Sequence, residues 1–184
     1  YEPHLIARNE DRLESIAQKI KCNYSVANVL DYKNLEIRLK EIGNEVVGIA
    51  YCVGSINLKP LKMTKINDFL ESYEINTIGA IKCIKILNEV LEMNKGSILL
   101  YSTIAVKQGF ANHSIVSSAK GALEGLTLSL AAEFAPNIRV NCIAPSLTES
   151  NLSKKIISNP TIKLFSVLFF EIRSIYGLKL SMDI

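Results

Sequence analysis

An unbroken apolar segment, Val-Val-Gly-Ile-Ala-Tyr-Cys-Val at residues 46–53, most constrains how this chain can fold. It has the length of a strand, and its residues do not alternate between apolar and polar. A strand of this kind is covered on both faces, as in the middle of a parallel sheet. The segment therefore predicts an α/β protein, and Gly54 ends the strand.

Strand and helix patterns alternate along the rest of the chain. In the first helix, Asn9 is placed to cap the N-terminus, and Leu13 and Ala17 share one face. Other strands are predicted over residues 4–7, 24–29, 97–102 and 138–143, and other helices over residues 31–42, 64–91 and 114–134. This order, with short connections, predicts a doubly wound parallel sheet with helices on both faces.

Composition excludes several functional classes. The 184 residues suffice for one domain, and 48% hydrophobic with 21% charged residues excludes a disordered chain. A net charge of +3 with scattered signs gives no basic stripe for nucleic acid, and no segment is long enough to cross a membrane. Four widely spaced cysteines and two histidines predict no disulfide framework and no metal site. Free thiols fit a reducing compartment, so we expect a cytoplasmic protein.

The residues that follow the predicted strands are the candidates for ligand binding. They are Arg8, Asn28, Gly54, Thr103 and Pro145. Open α/β sheets bind ligands in the crevice at the carboxyl ends of their strands. The sequence therefore predicts a ligand site at this edge of the sheet.

Motifs at these strand ends indicate a family. They are Leu-Ile-Ala-Arg-Asn at residues 5–9, Asn-Val at 28–29, Ile-Asn-Thr-Ile-Gly at 75–79, Ser-Thr at 102–103, Ser-Ala-Lys-Gly-Ala at 118–122 and Ile-Arg-Val-Asn-Cys-Ile-Ala-Pro at 138–145. In this order and spacing the chain resembles the short-chain dehydrogenase/reductase family over about residues 3–150. The resemblance implies a Rossmann-like fold and an oxidoreductase that moves a hydride between NAD or NADP and a small carbonyl or alcohol substrate.

The resemblance also implies roles for particular residues. Lys120 would hold the nicotinamide ribose, Thr103 would supply a hydroxyl to the reacting oxygen, and Asn76 would link the lysine to solvent through water. The tyrosine that serves as the family's acid and base, four residues before the lysine, is Val116 here. Loss of a positioned acid/base lowers a rate by about 10²–10⁴-fold, so unmodified family chemistry is expected to be weak.

Two residues are candidates to replace that tyrosine. His113 would share a helix face with Val116 and Lys120 if the helix includes it, and imidazole changes charge near neutral pH. Alternatively, His113 caps the helix or faces solvent. Tyr101 lies two residues before Thr103, so the alternation of the strand places both side chains on the same face. Alternatively, Tyr101 is an ordinary aromatic residue of the strand with no role in the chemistry.

The cofactor side has its own candidates. Arg8 is placed where its guanidinium could bind the 2′-phosphate of NADP, which slightly favours NADP over NAD. Alternatively, Arg8 is a solvated arginine at the start of a helix. Asn28 would accept a hydrogen bond from the adenine amino group, and Gly54 would let backbone approach the ribose. Lys120 and Pro145 complete the predicted cofactor site.

The sequence departs from the family at both ends. The family's first strand and its glycine-rich phosphate turn are missing, and its closing strand is not recognisable after residue 151. We therefore expect residues 1–150 to form a partial dinucleotide-binding domain and residues 151–184 to form a divergent tail. Pyrophosphate binds where such a turn leads into a helix N-terminus, so dinucleotide binding by this chain is expected to be poor.

Two functional hypotheses follow. The first is an NAD(P)-dependent oxidoreductase by descent, impaired in this chain. The second is a non-catalytic scaffold, or the product of a degraded gene, that acts through oligomerisation. A homo-oligomer is expected in both cases because the two long helices carry a second set of apolar residues: Ile81, Ile84, Leu87, Leu126 and Leu130.

Overall fold

A computed structural model describes residues 1–146 and Thr148. The predicted divergent tail, residues 151–184, lies outside the described residues. The strands are β1 (His4–Ala7), β2 (Asn23–Val26), β3 (Gly48–Tyr51), β4 (Ser97–Tyr101) and β5 (Arg139–Ile143). The helices are α1 (Glu10–Ile20), α2 (Tyr32–Glu41), α3 (Ile66–Tyr73), α4 (Gly79–Met93), α5 (Ala105–Gln108) and α6 (Ser114–Phe134). A 3₁₀ turn covers Leu61–Met63, and a π-helical segment, Glu74–Ile78, joins α3 to α4.

Capping side chains decide where the first two helices begin. Asn9 Oδ1 accepts the N–H of Arg12 at 2.7 Å, and Asp31 Oδ1 accepts the N–H of Asn34 at 3.2 Å. Each bond satisfies one of the N–H groups that a helix N-terminus leaves free. These starts follow the sequence prediction, as do the bounds of α6.

The long central helix differs from the prediction at its start. Thr64, the predicted cap, donates its hydroxyl back to the carbonyl of Leu61 at 2.8 Å. The carboxylate of Asp68 instead accepts the N–H of Lys65 at 2.8 Å and closes the first turn. The helix therefore begins at Ile66.

Two strands are shorter than predicted. β2 ends at Val26 because the side chain of Asn28 accepts the N–H of Leu30 at 3.1 Å, which turns the chain. In the apolar run at residues 46–53, only Gly48–Tyr51 pairs with β4. The predicted loop after β4 also contains one short helix, α5.

The parallel α/β architecture is confirmed, but the described strands form two sheets instead of one. β1 pairs with β2, and the second sheet has the order β3-β4-β5. One hydrophobic core joins them, because Leu35 and Leu39 of α2 belong to the same buried cluster as Leu100 of β4. β1 and β3 each pair with one strand only, so one edge of each has no strand partner among the described residues.

The two faces of the second sheet differ in burial. Tyr51, Leu100 and Val140, on the side of α4 and α6, are at least nine-tenths buried. Gly48 and Ala50 point to the other side and are exposed. None of the described helices is long and apolar enough to cross a membrane.

The exposed edge of β3 predicts self-association. Ala50→Lys places a charge on this edge, and a charged side chain there disfavours pairing with another chain. We expect slower aggregation, measured by light scattering, with an unchanged melting temperature. Ser15→Lys, the same change in charge on the exposed side of α1, is the control. Equal aggregation rates in both variants would show that the β3 edge is not the point of association.

Candidate active site

The central feature of the site is a buried lysine beside a glycine. Lys120 lies on α6 and is 91% buried, with its Nζ 3.3 Å from the point that a Cβ on Gly54 would occupy. Asn76 Oδ1 lies 3.0 Å from the same point. Because residue 54 has no side chain, the ammonium and the amide oxygen can both lie close to the backbone at this position, where a Cβ would crowd them.

The ammonium of Lys120 makes no hydrogen bond within residues 1–146, and it has no ion pair there. A buried charge of this kind is costly unless it is paired. Burial lowers the pKa of Lys120, and the nearby thiols of Cys142 and Cys52 oppose the shift. The ammonium is thus an unused donor at the carboxyl end of β3.

Asn76 is held by two other residues, Ser55 and Ser72. It lies in the π-helical segment and is fully buried. Its Nδ2 donates to the carbonyl of Ser72 at 2.8 Å and to Ser55 Oγ at 3.1 Å, and its Oδ1 accepts the N–H of Ser55 at 3.3 Å. These bonds fix the amide so that its oxygen faces Gly54.

Two hydroxyls hold the backbone of α6 around Lys120. Thr77 Oγ1 donates to the carbonyl of Ala119 at 2.8 Å. Ser102 Oγ donates to the carboxylate of Glu124 at 2.7 Å and lies 3.3 Å from the carbonyl of Lys120. The sequence marked Thr77 and Ser102 only as parts of motifs. Their spacing from Lys120 carried no signal of these contacts.

Thr103 and Pro145 lie together at the ends of β4 and β5. Thr103 Oγ1 accepts the N–H of Ala105 at 3.3 Å, so its hydroxyl proton remains available to a ligand. The carbonyl of Pro145 accepts the N–H of Ile104 at 3.2 Å. Within the described residues Thr103 makes no hydrogen bond to Lys120.

The predicted acid/base position is apolar. Val116 is buried in the inner face of α6. His113 is the N-cap of α6 and not part of the helix, so the shared face considered from the sequence does not form. Its Nδ1 lies 2.8 Å from the carbonyl of Ala111, and its ring packs on Phe110 with centroids 5.4 Å apart. Lys120 follows two turns later, about 10 Å along the axis.

Tyr101 lies beside Cys52 instead of standing alone. Tyr101 ends β4, and Cys52 lies just past the end of β3, the strand that pairs with β4. Burial and the contact with Cys52 raise the pKa of Tyr101, which is opposite to the change that an acid/base phenol needs.

Arg8 and Asn28 belong to the other sheet. Arg8 is exposed, and it has no ion pair among the described residues. The oxygen of Asn28 that was predicted to face adenine accepts the N–H of Leu30 at 3.1 Å. Of the predicted residues, the structure brings Lys120, Asn76 and Gly54 together, and Arg8 and Asn28 follow the strands of the smaller sheet.

Parallel strands, flanking helices and ligand-facing groups at the carboxyl ends define the dinucleotide-binding class of α/β proteins. The chain matches, over residues 4–166, the family model described as enoyl-(acyl carrier protein) reductase. It belongs to the short-chain dehydrogenase/reductase family.

Individual relatives are distant. Carbonyl reductase family member 4 of Xenopus laevis is 28% identical over 162 residues, which are 85% of this chain and 69% of the relative. The 3-hydroxyacyl-CoA dehydrogenase type-2 of Mus musculus is 28% identical over 153 residues, 73% of this chain and 59% of the relative. The matched region thus spans roughly six to seven tenths of these relatives' length.

The fold is shared with solved structures. A gluconate 5-dehydrogenase from Burkholderia cenocepacia, in complex with NADP and tartrate, superposes with a TM-score of 0.81 at 17% identity. That alignment covers 88% of this chain and 68% of the dehydrogenase. At this identity the likeness shows the fold alone.

The buried ammonium predicts a pH-dependent stability. Because the pKa of Lys120 is lowered in the folded state, the unfolded chain keeps this proton to a higher pH than the folded chain. Folding is therefore opposed at neutral pH, and the opposition fades as pH rises towards 10.5. We expect Lys120→Met to raise the free energy of unfolding at pH 7, by an amount that shrinks as pH rises towards 10.5. Urea unfolding measures this.

Lys107→Met, at an exposed lysine of α5, is the matched control. It should change the free energy of unfolding little at any of these pH values. A difference between Lys120→Met and the parent that stays constant with pH would contradict a strained ammonium.

Proposed function

We propose that this chain is an NAD(P)-dependent oxidoreductase that transfers hydride between the nicotinamide and a small carbonyl or alcohol. The observation that carries the proposal is Lys120, a largely buried lysine beside Gly54 and Asn76 whose ammonium has no partner among the described residues. Two vicinal ribose hydroxyls can accept hydrogen bonds from such an ammonium. This contact would offset the free-energy cost of removing the ammonium from water.

The residues fit one half of the cofactor better than the other. Lys120 and Gly54 would hold the nicotinamide ribose, with Pro145 beside the ring, and Asn76 would keep a water against the ammonium. The described residues contain no glycine-rich turn leading into a helix N-terminus, so the pyrophosphate lacks its usual partner. Arg8 and Asn28 would face the adenosine half, and Arg8 favours NADP. When bound, the cofactor supplies or accepts the hydride.

The chain's own residues would handle the proton. Thr103 would donate its hydroxyl to the substrate oxygen. Val116 has no titratable group, so His113 is the remaining candidate for proton transfer, although as the N-cap of α6 it does not share the helix face of Lys120. The bond between its Nδ1 and the carbonyl of Ala111 fixes the ring and leaves Nε2 for the substrate oxygen.

A second function, a non-catalytic scaffold acting through oligomerisation, is favoured by an exposed apolar stripe. Ile66, Leu70 and Tyr73 lie at i, i+4 and i+7 on α3, with exposed fractions of 77%, 61% and 41%. Leu128 of α6 is 75% exposed. Ile84 and Leu87, which the sequence suggested for a subunit contact, are instead buried in the core, so the expected homo-oligomer rests on the exposed apolar residues of α3 and α6. The four free thiols fit a cytoplasmic location.

The enzyme proposal is tested by titrating the chain with NADPH and NADH and following nicotinamide fluorescence. The titration is repeated after fusing a strand, glycine-rich turn and helix of the family ahead of Tyr1. We expect weak binding by the chain, stronger binding by the fusion, and loss of binding in Lys120→Met. The absence of binding in both forms would contradict the enzyme proposal.

Catalysis is tested in the fusion by two variants at the acid/base position. Val116→Tyr should raise carbonyl reduction by at least roughly tenfold, because it restores a positioned acid/base. His113→Gln should lower the remaining rate and leave NADPH affinity unchanged. If Val116→Tyr leaves the rate unchanged, then Lys120 and Thr103 are not poised for this chemistry.

The scaffold proposal predicts an oligomer whose molecular mass depends on the exposed apolar stripe of α3. Leu70→Lys should shift the chain from oligomer to monomer in size-exclusion chromatography with light scattering, because it places a charge in an apolar contact. Met93→Lys, an equally exposed apolar residue at the end of α4, should leave the mass unchanged. A parent chain that is already monomeric at micromolar concentration would contradict this proposal.

A further inference from the structure

We propose that Tyr51 is a positioning residue, which fixes the π-helical segment Glu74–Ile78 and thereby the place of the Asn76 amide opposite Lys120. This inference rests on the proposed function of the site, since the amide matters there. The contacts that support it lie between β3 and the central helix.

The first contact is a hydrogen bond to the segment itself. Tyr51 ends β3 and is 97% buried, and its hydroxyl donates to the carbonyl of Ile75 at 2.6 Å. Ile75 directly precedes Asn76. Burial raises the pKa of Tyr51 far above its ordinary range, so the phenol remains a donor at every pH at which the protein is handled.

The second contact is steric. The hydroxyl of Tyr51 occupies the place that a Cβ on Gly79 would take. Gly79 closes the π-helical segment, since its N–H bonds to the carbonyl of Glu74, five residues earlier. The phenol therefore fits against the segment only because residue 79 is glycine.

A third contact reaches the same segment from Ser55, four residues past the end of β3. Ser55 bonds the amide of Asn76 through both its N–H and its Oγ. Tyr51 and Ser55 thus hold the segment at two points, one on its backbone and one on its functional side chain. The spacing between these points sets where Asn76 Oδ1 lies above Gly54.

The π-helical geometry explains why such a hold is needed. A π turn contains one residue more than an α turn, and it is rare in regular helices. If the segment relaxed to α-helix, Asn76 would rotate by roughly 100° relative to α4 and would leave Ser55. A donor fixed in the sheet opposes that relaxation, and the phenol of Tyr51 is such a donor.

The test is Tyr51→Phe, which keeps the ring and removes the donor. Tyr24→Phe, in β2 of the other sheet, is the control. Without any cofactor, we expect hydrogen exchange of the amides of residues 76–79 to accelerate about fivefold, the equivalent of one lost hydrogen bond. We also expect the side-chain NMR signals of Asn76 and Lys120 to shift. Unchanged exchange and unchanged signals would overturn the inference.

A double-mutant cycle of Tyr51→Phe and Gly79→Ala tests the contact between the phenol and residue 79. Gly79→Ala alone pushes against the hydroxyl of Tyr51, whereas with Phe at position 51 the nearest ring carbon lies 3.2 Å from the new Cβ. We expect the effects on exchange at residues 76–79 to be clearly non-additive. Strict additivity would show that the phenol does not act on the segment.

Cofactor binding separates this inference from the proposed function. In the fusion described above, Tyr51→Phe should weaken NADPH binding about fivefold, in line with one lost hydrogen bond. If no form binds NADPH, the proposed function fails, while the exchange and NMR measurements still decide the role of Tyr51. If the fusion binds NADPH equally well with and without the phenol, Tyr51 does not position the site.

Discussion

The largely buried side chain of Lys120, whose ammonium has no hydrogen-bond acceptor among the described residues, is the feature on which the site depends. An ammonium in this position disfavours the folded state, so the surrounding structure must hold it there. Thr77 does so through the backbone of α6 and Ser102 through the carboxylate of Glu124 on the same helix, and the glycine at position 54 leaves room at the tip of the lysine. Strain of this kind, retained at the carboxyl ends of parallel strands, marks a place built for a ligand.

The discontinuity between the two sheets limits what that site can do. The three-stranded sheet carries Lys120's neighbours, while Arg8 and Asn28 follow the strands of the other sheet. A ligand that touches both halves must span a region where the described residues offer no strand and no phosphate-binding turn. The described residues therefore offer groups for the proposed ribose contact and none for the phosphates of the proposed cofactor.

Local signals in the sequence predicted much of the fold. The caps at Asn9 and Asp31 and the extent of α6 depend on residues within one turn. The π-helical segment could not be predicted, because its geometry depends on Tyr51, more than twenty residues earlier in the chain. The tyrosine inside an apolar strand nevertheless indicated a long-range hydrogen bond, because a buried tyrosine hydroxyl needs a partner.

A crystal structure of the chain carrying a fused strand, turn and helix, grown with NADPH, measures the central geometry directly. We predict that both ribose hydroxyls next to the nicotinamide lie within about 3 Å of Lys120 Nζ, with a water between the ammonium and Asn76. A complex in which the ribose lies elsewhere and Lys120 and Thr103 point away from each other would contradict the assignment of this site.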